Sequence, residues 1–284
     1  MDGVLVVDKP AGMTSHDVVD AVRRALHTRK VGHAGTLDPD ATGVLVVGVG
    51  RATRLLSYAQ QTPKRYLAVA RFGITTTTQD ASGEILTDQK SDLSAADVVR
   101  ALEQFTGEIK QTPPMVSAVK VGGERLYKKA RRGEDVERAP RVVTVYSAEL
   151  VDFERGAQLA TLDLSCSTGT YVRTLVHDLG ESLGCGAHLM SLRRTENAGF
   201  TVRDAIALDQ VSTGALRPLL DAVRALTAVE VNDADARLVT SGRPLPAPMD
   251  VDHDEPVALT AAGRLLAVYR RRGEVLVPDR VVAP

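Results

Sequence analysis

A chain of 284 residues with 44% hydrophobic side chains is long enough for one large domain plus a small one and can supply a real core. Its 35 Lys and Arg against 36 Asp and Glu leave a net charge of −1, so the whole-chain balance carries no sign of a nucleic-acid partner and charge distribution must be read instead. Two cysteines, Cys166 and Cys185, exclude a disulfide framework, and neither belongs to a Cys-x-x-Cys metal arrangement. A reducing cytoplasm is the expected compartment. The first residues lack a basic leader, and no segment reaches ~18 uninterrupted apolar residues, so a soluble chain with no membrane contact is expected.

Residues 3–7 read as a short buried strand, and Asp8-Lys9-Pro10-Ala11-Gly12-Met13-Thr14-Ser15 as a turn-rich connector ending in a helix cap. The helix that begins near Ser15 places Val18, Val19, Val22, Ala25 and Leu26 on one face, with Arg23 and Arg24 outside. Residues 30–43, Lys-Val-Gly-His-Ala-Gly-Thr-Leu-Asp-Pro-Asp-Ala-Thr-Gly, form a tightly turned loop, because glycine permits positive φ and Pro39 forces Asp38 into an extended conformation. Such a loop presents a carboxylate rather than burying it. An ordinary turn is one reading, but His33, Thr36 and Asp38 together make the loop a candidate site. The run Val44 to Val49 reads as a strand covered on both faces, and Gly48 and Gly50 fail the dinucleotide fingerprint for want of a third glycine.

Residues 64–73 alternate like a strand, and Tyr66 on it suits either half-buried packing or a flat platform for a base. Residues 75–83 form a polar loop in which Asp80 is read as an RNA contact or a turn cap. Ser94 caps a helix reaching Phe105, with Asp97 at its third position and Val98, Val99, Leu102 and Phe105 on the apolar side. Between residues 120 and 132, Lys120, Arg125, Lys128, Lys129, Arg131 and Arg132 face one acid, Glu124, and a glycine hinge precedes Tyr127. That composition describes a basic arm, about residues 112–135, suited to a phosphate backbone. Residues 142–153 and 158–166 read as an antiparallel pair joined at Arg155-Gly156. In residues 166–180, Thr168 or Thr170 caps a helix with Val172, Leu175, Val176 and Leu179 on its apolar face and Tyr171 and Arg173 near its N-terminus. Leu192, within residues 187–196, reads as a core leucine. Past residue 226 come a short helix with a glycine stop, the proline-rich connector 244–248 and two or three strands over 256–277, a small β-rich appendage.

G-H-A-G-T-L-D-P-x-A-T-G-V-L resembles the signature loop of the TruB family, the bacterial tRNA pseudouridine-55 synthases. The likeness extends to D-K-P-x-G-x-T-S around Lys9, K-x-Y at Tyr66, T-x-T-x-D-x-x-G at Asp80, G-T-Y-V-R at Tyr171 and Arg173, and L-R-R-T at Leu192, about three quarters of the chain. Arg141-Val142 stands where family members often carry Arg-Pro. The resemblance implies an α+β fold, a mixed, mainly antiparallel sheet flanked by helices, over residues 1–225, with a small β-rich, PUA-like RNA-binding domain at 226–284. It also implies an Asp38 nucleophile paired with Arg173, a Lys9-Pro10 pair beneath the loop, and Tyr66, Tyr171 and Leu192 around an extruded uracil. His33 enters the space the base vacates, and the arm bearing Lys128, Lys129, Arg131 and Arg132 closes over the T-arm of tRNA.

Pseudouridine formation breaks the bond from uracil N1 to sugar C1′ and rejoins the base through C5, with no redox or group-transfer partner. No cofactor is therefore expected, and the sequence offers no phosphate loop, dinucleotide fingerprint or clustered metal ligands. No obligate protein partner is evident either. Whether Asp38 attacks the sugar or assists removal of its 2′ proton stays open, since both routes use one residue. A non-catalytic RNA-folding protein using the same surface is the alternative from another class. Glycoside hydrolysis would want a second carboxylate about 5 to 9 Å away, and no such partner is evident in the pattern.

Overall fold

The computed structural model describes every residue except 118, 127, 128, 130, 131, 135, 250, 283 and 284. The chain forms two compact units, Met1–Pro39 with Gly43–Thr62 and Glu196–Pro284, and Asp40–Thr42 with Pro63–Thr195.

In the first unit, strand Gly3–Lys9 pairs antiparallel with Thr42–Val49 over its whole length, from Gly3↔Val49 to Lys9↔Gly43, and the short strand Val31–His33 pairs with Thr42–Val49 as well. Helix Ser15–Ala25 starts at an N-cap on Thr14. The Thr14 hydroxyl accepts from Asp17 N at 3.1 Å and the Asp17 carboxylate accepts from Thr14 N at 2.8 Å, a reciprocal box that satisfies two otherwise orphaned donors. Its Val18, Val19 and Val22 pack on Leu5, Val7, Leu45 and Val47. The alternate side chains Val4, Val6, Val44 and Val46 face a second core with Leu55, Leu56, Tyr58 and Phe200. Burial on both faces accounts for the unbroken β-branched run of this strand pair.

The same second core contains Ala258, Leu265, Val268 and Val282. Ala258, Leu265 and Val268 belong to, and Val282 directly follows, a five-stranded sheet in the order Thr227–Glu230, Pro256–Ala261, Arg264–Arg272, Val275–Val281, Leu245–Pro246, antiparallel except for the first pair. Helix Asp233–Thr240, capped by Asn232, covers the other face through Val239 against Val257, Leu259, Ala267 and Tyr269. The sheet thus lies between the N-terminal strands and its own helix. Tyr58 Oη and Arg270 Nε both donate to Asp279 Oδ2 at 2.8 Å, and Arg51 Nη1 donates to Val282 O at 2.7 Å. Strand Leu245–Pro246 lies in the segment read as a connector, and Thr227–Glu230 had no sequence signal beyond a composition change.

In the second unit, strands run in the order Ala187–Asn197, Lys64–Phe72, Leu159–Cys166, Arg141–Glu154, Gly107–Gln111, with the last three joints antiparallel. Lys64–Phe72 and Leu159–Cys166 alternate strictly, one face buried. Helix Ala95–Glu103 begins at the Ser94–Asp97 box. Its buried residues are Val98, Ala101 and Leu102, whereas Val99, expected on the apolar side, is 46% exposed, because it sits about 100° around the helix from Val98. Two hairpins complete the unit. Ile74–Thr76 pairs with Ile85–Asp88, so the loop expected over 75–83 opens as a strand. Lys120–Val121 pairs with Glu124–Arg125 across Gly122 and Gly123, whose φ values of 62° and 84° are those of a two-residue turn matched to strand twist. The glycines read as a hinge are a hairpin turn.

Candidate active site

In the first unit the loop bearing Asp38 is clamped on both sides of that residue. Ser15 Oγ accepts from Leu37 N at 2.8 Å and donates to Leu37 O at 3.1 Å, so one hydroxyl holds both backbone polar groups of the preceding residue. On the other side Pro39 O accepts from Lys9 Nζ at 2.8 Å and from Gly12 N at 3.0 Å. Lys9 is 0% exposed, and its ammonium also donates to Pro10 O and Met13 O at 2.8 and 2.6 Å. A buried ammonium spending all three donors on carbonyls is a fastener. Leu37 is buried while Asp38 is half-buried, so the side chain between the clamps stays within reach of a ligand. Upstream, Ala34 O accepts from Asn197 Nδ2 at 2.9 Å and His33 O from Gln60 Nε2 at 3.3 Å, while Gly35 takes φ 95°. His33, half-buried, ends the short strand Val31–His33.

In the second unit Arg173 and Asp80 come together. Arg173 is 5% exposed at the start of helix Val172–Ser182, and its Nη1 donates to Asp80 Oδ2 at 3.1 Å. The other carboxylate oxygen of Asp80 accepts from Thr78 Oγ1 at 2.6 Å, Ser82 Oγ at 2.5 Å and Ser82 N at 3.1 Å. From the next residue, Thr174 Oγ1 donates to Gln79 Oε1 at 2.7 Å. Asp80 therefore both caps its turn and holds the guanidinium.

Neither Thr168 nor Thr170 caps this helix. The N-cap position is Tyr171, half-buried and without a side-chain cap bond. Gln111, at the end of strand Gly107–Gln111, instead fixes the backbone of the N-cap residue itself, accepting from Tyr171 N at 2.7 Å and donating to Tyr171 O at 2.9 Å. Thr170 Oγ1 turns back to Ser167 O at 3.0 Å.

Tyr66 is 8% exposed on the buried face of strand Lys64–Phe72. Leu192, read as a core leucine, is only half-buried on the adjacent strand Ala187–Asn197, which leaves part of its apolar side chain open. Two neighbours escaped the sequence reading. Lys64 shares the buried face with Tyr66, and burial first, then the Arg194 charge, push its ammonium down to about 8. Arg194 itself is 0% exposed and hydrogen-bonded to Tyr66; burial pulls its pKa down. Both belong to motifs visible in the sequence, Lys64 to K-x-Y and Arg194 to L-R-R-T.

In the basic arm, Arg132 forks onto both oxygens of Glu124 at 2.8 Å and onto Glu134 at 2.7 Å, so its charge is shared within the arm. Lys129 is half-buried, and its carbonyl accepts from Arg132 N and Glu134 N. Lys128 and Arg131 lie outside the described residues.

Residues 23–172 match the TruB family pseudouridylate synthase N-terminal domain, and residues 173–226 match the tRNA pseudouridylate synthase B C-terminal domain. A tRNA pseudouridine synthase B of Thermobifida fusca is 48% identical over 281 residues, 95% of each chain, and one of Streptococcus thermophilus is 41% identical over 100% of this chain and 99% of its own. One of Symbiobacterium thermophilum reaches 52% over 77% of this chain and 74% of its own. Among solved structures, a chain of a Cbf5-Nop10-Gar1 complex superposes with a TM-score of 0.79 at 27% identity, covering 99% of this chain and 85% of that one. A chain of an H/ACA RNP bound to a substrate RNA containing 2'-deoxyuridine gives 0.78 at 25%, with the same coverage. With sequence likeness running end to end and a mixed α+β fold shared with pseudouridine synthases, the chain belongs to the TruB family of pseudouridylate synthases.

Proposed function

We propose that the chain isomerises the T-loop uridine at position 55 of tRNA to pseudouridine, with Asp38 as the reacting carboxylate. The observation that carries this reading is the clamped loop: Ser15 fixes Leu37, Lys9 and Gly12 fix Pro39, and the Asp38 side chain between them is left half-open. A carboxylate held by its backbone reaches the sugar without first being ordered, and such positioning lowers the barrier. The relatives named tRNA pseudouridine synthase B match this chain over nearly their full lengths, which supports tRNA as the substrate.

The uridine is extruded at a cost of about a few kcal/mol, which stacking on an aromatic face offsets. Tyr66, Tyr171 and the partly open Leu192 receive the base, and His33 fills the vacated space. Arg173, buried at the start of its helix, donates to the Asp80 carboxylate and is held in place by it. Lys128, Lys129, Arg131 and Arg132 contact the phosphate backbone of the T-arm, and residues 226–284 form a PUA-like RNA-binding domain beside a catalytic domain of residues 1–225. No described helix is long and apolar enough to cross a membrane, and the cytoplasm, where tRNA is found, is the proposed compartment.

The test is tritium release from a T-loop minihelix carrying 5-tritiated uridine. Wild type releases tritium, and Asp38→Asn binds the minihelix but loses at least about 1,000-fold in rate, as expected for removal of a covalent or proton-transfer group. Binding without release by the wild type would favour an RNA-folding role instead.

A further inference from the structure

In the loop that bears Asp38, buried Ala34 has both backbone polar groups taken. Its N donates to Val46 O at 2.8 Å, extending the pairing of Val31–His33 with Thr42–Val49, and its O accepts from Asn197 Nδ2 at 2.9 Å. Only the NH2 end of an amide can face a carbonyl, so Asn197 has one orientation and its Oδ1 points elsewhere. Asn197 is 0% exposed, and among the described residues that oxygen is buried without a hydrogen-bond partner. A leucine of similar volume would pack there without desolvating an amide, so packing does not account for the asparagine. Turn chemistry does not account for it either. Asn197 pairs with Phe200 across Ala198 and Gly199, whose φ values of 55° and 70° make a two-residue turn with both central residues left-handed. Asparagine ordinarily takes the first of those two positions, where alanine is strained, yet in this chain it stands one residue earlier. Position 197 serves the loop.

The anchors on the two sides of Gly35 and Thr36 are different residues. Upstream, Asn197 holds Ala34 O and Gln60 holds His33 O; downstream, Ser15 holds Leu37 and Lys9 holds Pro39. Gly35, at φ 95°, is the bend between the two arms. Resting on the reading that His33 fills the space left by the extruded uridine, we propose that Asn197 is a positioning residue for that extrusion: acting through Ala34, it braces the neighbouring His33 against the RNA, while Ser15 braces Asp38 for the bond-breaking step. Each arm of the loop thereby serves its own step. A histidine that displaces a stacked base works against the stacking of the RNA, so a backbone already held before contact saves the cost of ordering it during contact.

Single-turnover tritium release at saturating enzyme separates the steps, on two minihelices with 5-tritiated uridine: an intact T-loop, and one whose nucleotides on either side of the target are abasic, so that little stacking is left to lose. Relative to wild type on each RNA, Asn197→Leu is expected to slow release about 10-fold on the intact loop and less than about twofold on the abasic one. His33→Ala is rescued in the same way, whereas Ser15→Ala loses the same factor on both. An equal loss on both RNAs for Asn197→Leu would overturn the proposal and leave Asn197 a purely structural residue. Rescue of Ser15→Ala as well would also overturn it, by making the loop one body rather than two arms. Full activity of His33→Ala on the intact loop would remove the His33 reading beneath the proposal, and a wild type that releases no tritium would remove the isomerase reading, so the failures are told apart. If Asn197→Leu lacks the wild-type circular dichroism spectrum, Gln60→Ala, at an exposed position, carries the same comparison with an expected loss of about 2- to 5-fold on the intact loop alone.

Discussion

Asp80 shows how one carboxylate can serve two masters. Its Oδ1 is saturated by Thr78 and Ser82 within its own turn, and its Oδ2 holds Arg173 from a helix 93 residues further along the chain. Asp80→Asn keeps the turn, because an amide oxygen still accepts, but leaves a nearly buried guanidinium without this charge partner. Single-turnover pseudouridine formation should fall about 10- to 100-fold, with little change in melting temperature, a pattern that a purely structural turn cap would reverse. Asp38 and Tyr66 stand out in the sequence because residue type, loop composition and motif coincide. The Arg173–Asp80 pair does not, since an Asp followed by a small-residue turn looks the same whether or not an arginine arrives from a distant helix. Lys9 was ambiguous for the same reason: its three carbonyl acceptors carry no side-chain signature at all.

At the scale of elements, capping chemistry was legible wherever it was local. Ser94 and Asp97 form the box their spacing announces, and Thr14 with Asp17 forms another. The helix Val172–Ser182 matches its apolar pattern, but neither threonine caps it, and the backbone of its N-cap residue Tyr171 is held by Gln111, 60 residues away in the chain. Gln111 is buried, so its two bonds to the Tyr171 backbone have no water to replace them. Gln111→Ala should destabilise the chain by about 1–2 kcal/mol, seen as a melting temperature lower by about 2–8 °C. Thr170→Val, which removes the cap that composition suggests, should change it much less. The apolar periodicity of each helix was right to within one position, and the exceptions, Ala25 and Val99, both expected on the apolar side and both exposed, mark where a helix face meets solvent.

At the scale of the whole molecule, the strand segments and their β-rich ending were readable from alternation and turn residues, whereas the company they keep was not. Residues 256–282 share a core with Val4, Val6, Val44 and Val46, a pairing of the two ends of the chain that no local pattern encodes. Asp279 reports on this union. Burial pushes its carboxyl up, but hydrogen bonds from Tyr58 and Arg270 outweigh burial and hold its pKa below the usual carboxylate value. The folded state therefore binds this proton less readily than the unfolded chain. The resulting stability is present above about pH 4 and is lost as pH falls through the lowered folded value. Asp279→Asn should lower the melting temperature by a few degrees at pH 7, about 1 kcal/mol, and the gap to wild type should close near pH 3.

The first unit is assembled from three separated stretches of chain, the last of them Glu196–Pro284, whereas residues 63–195 of the second are continuous. During synthesis Val4, Val6, Val44 and Val46 leave the ribosome well before Ala258, Leu265, Val268 and Val282, the residues that complete their core. A ribosome that stalls late in translation would release a chain whose middle can fold and whose beginning cannot. Quality control would meet an exposed β-branched surface, because strands made early are shielded by strands made more than 200 residues later.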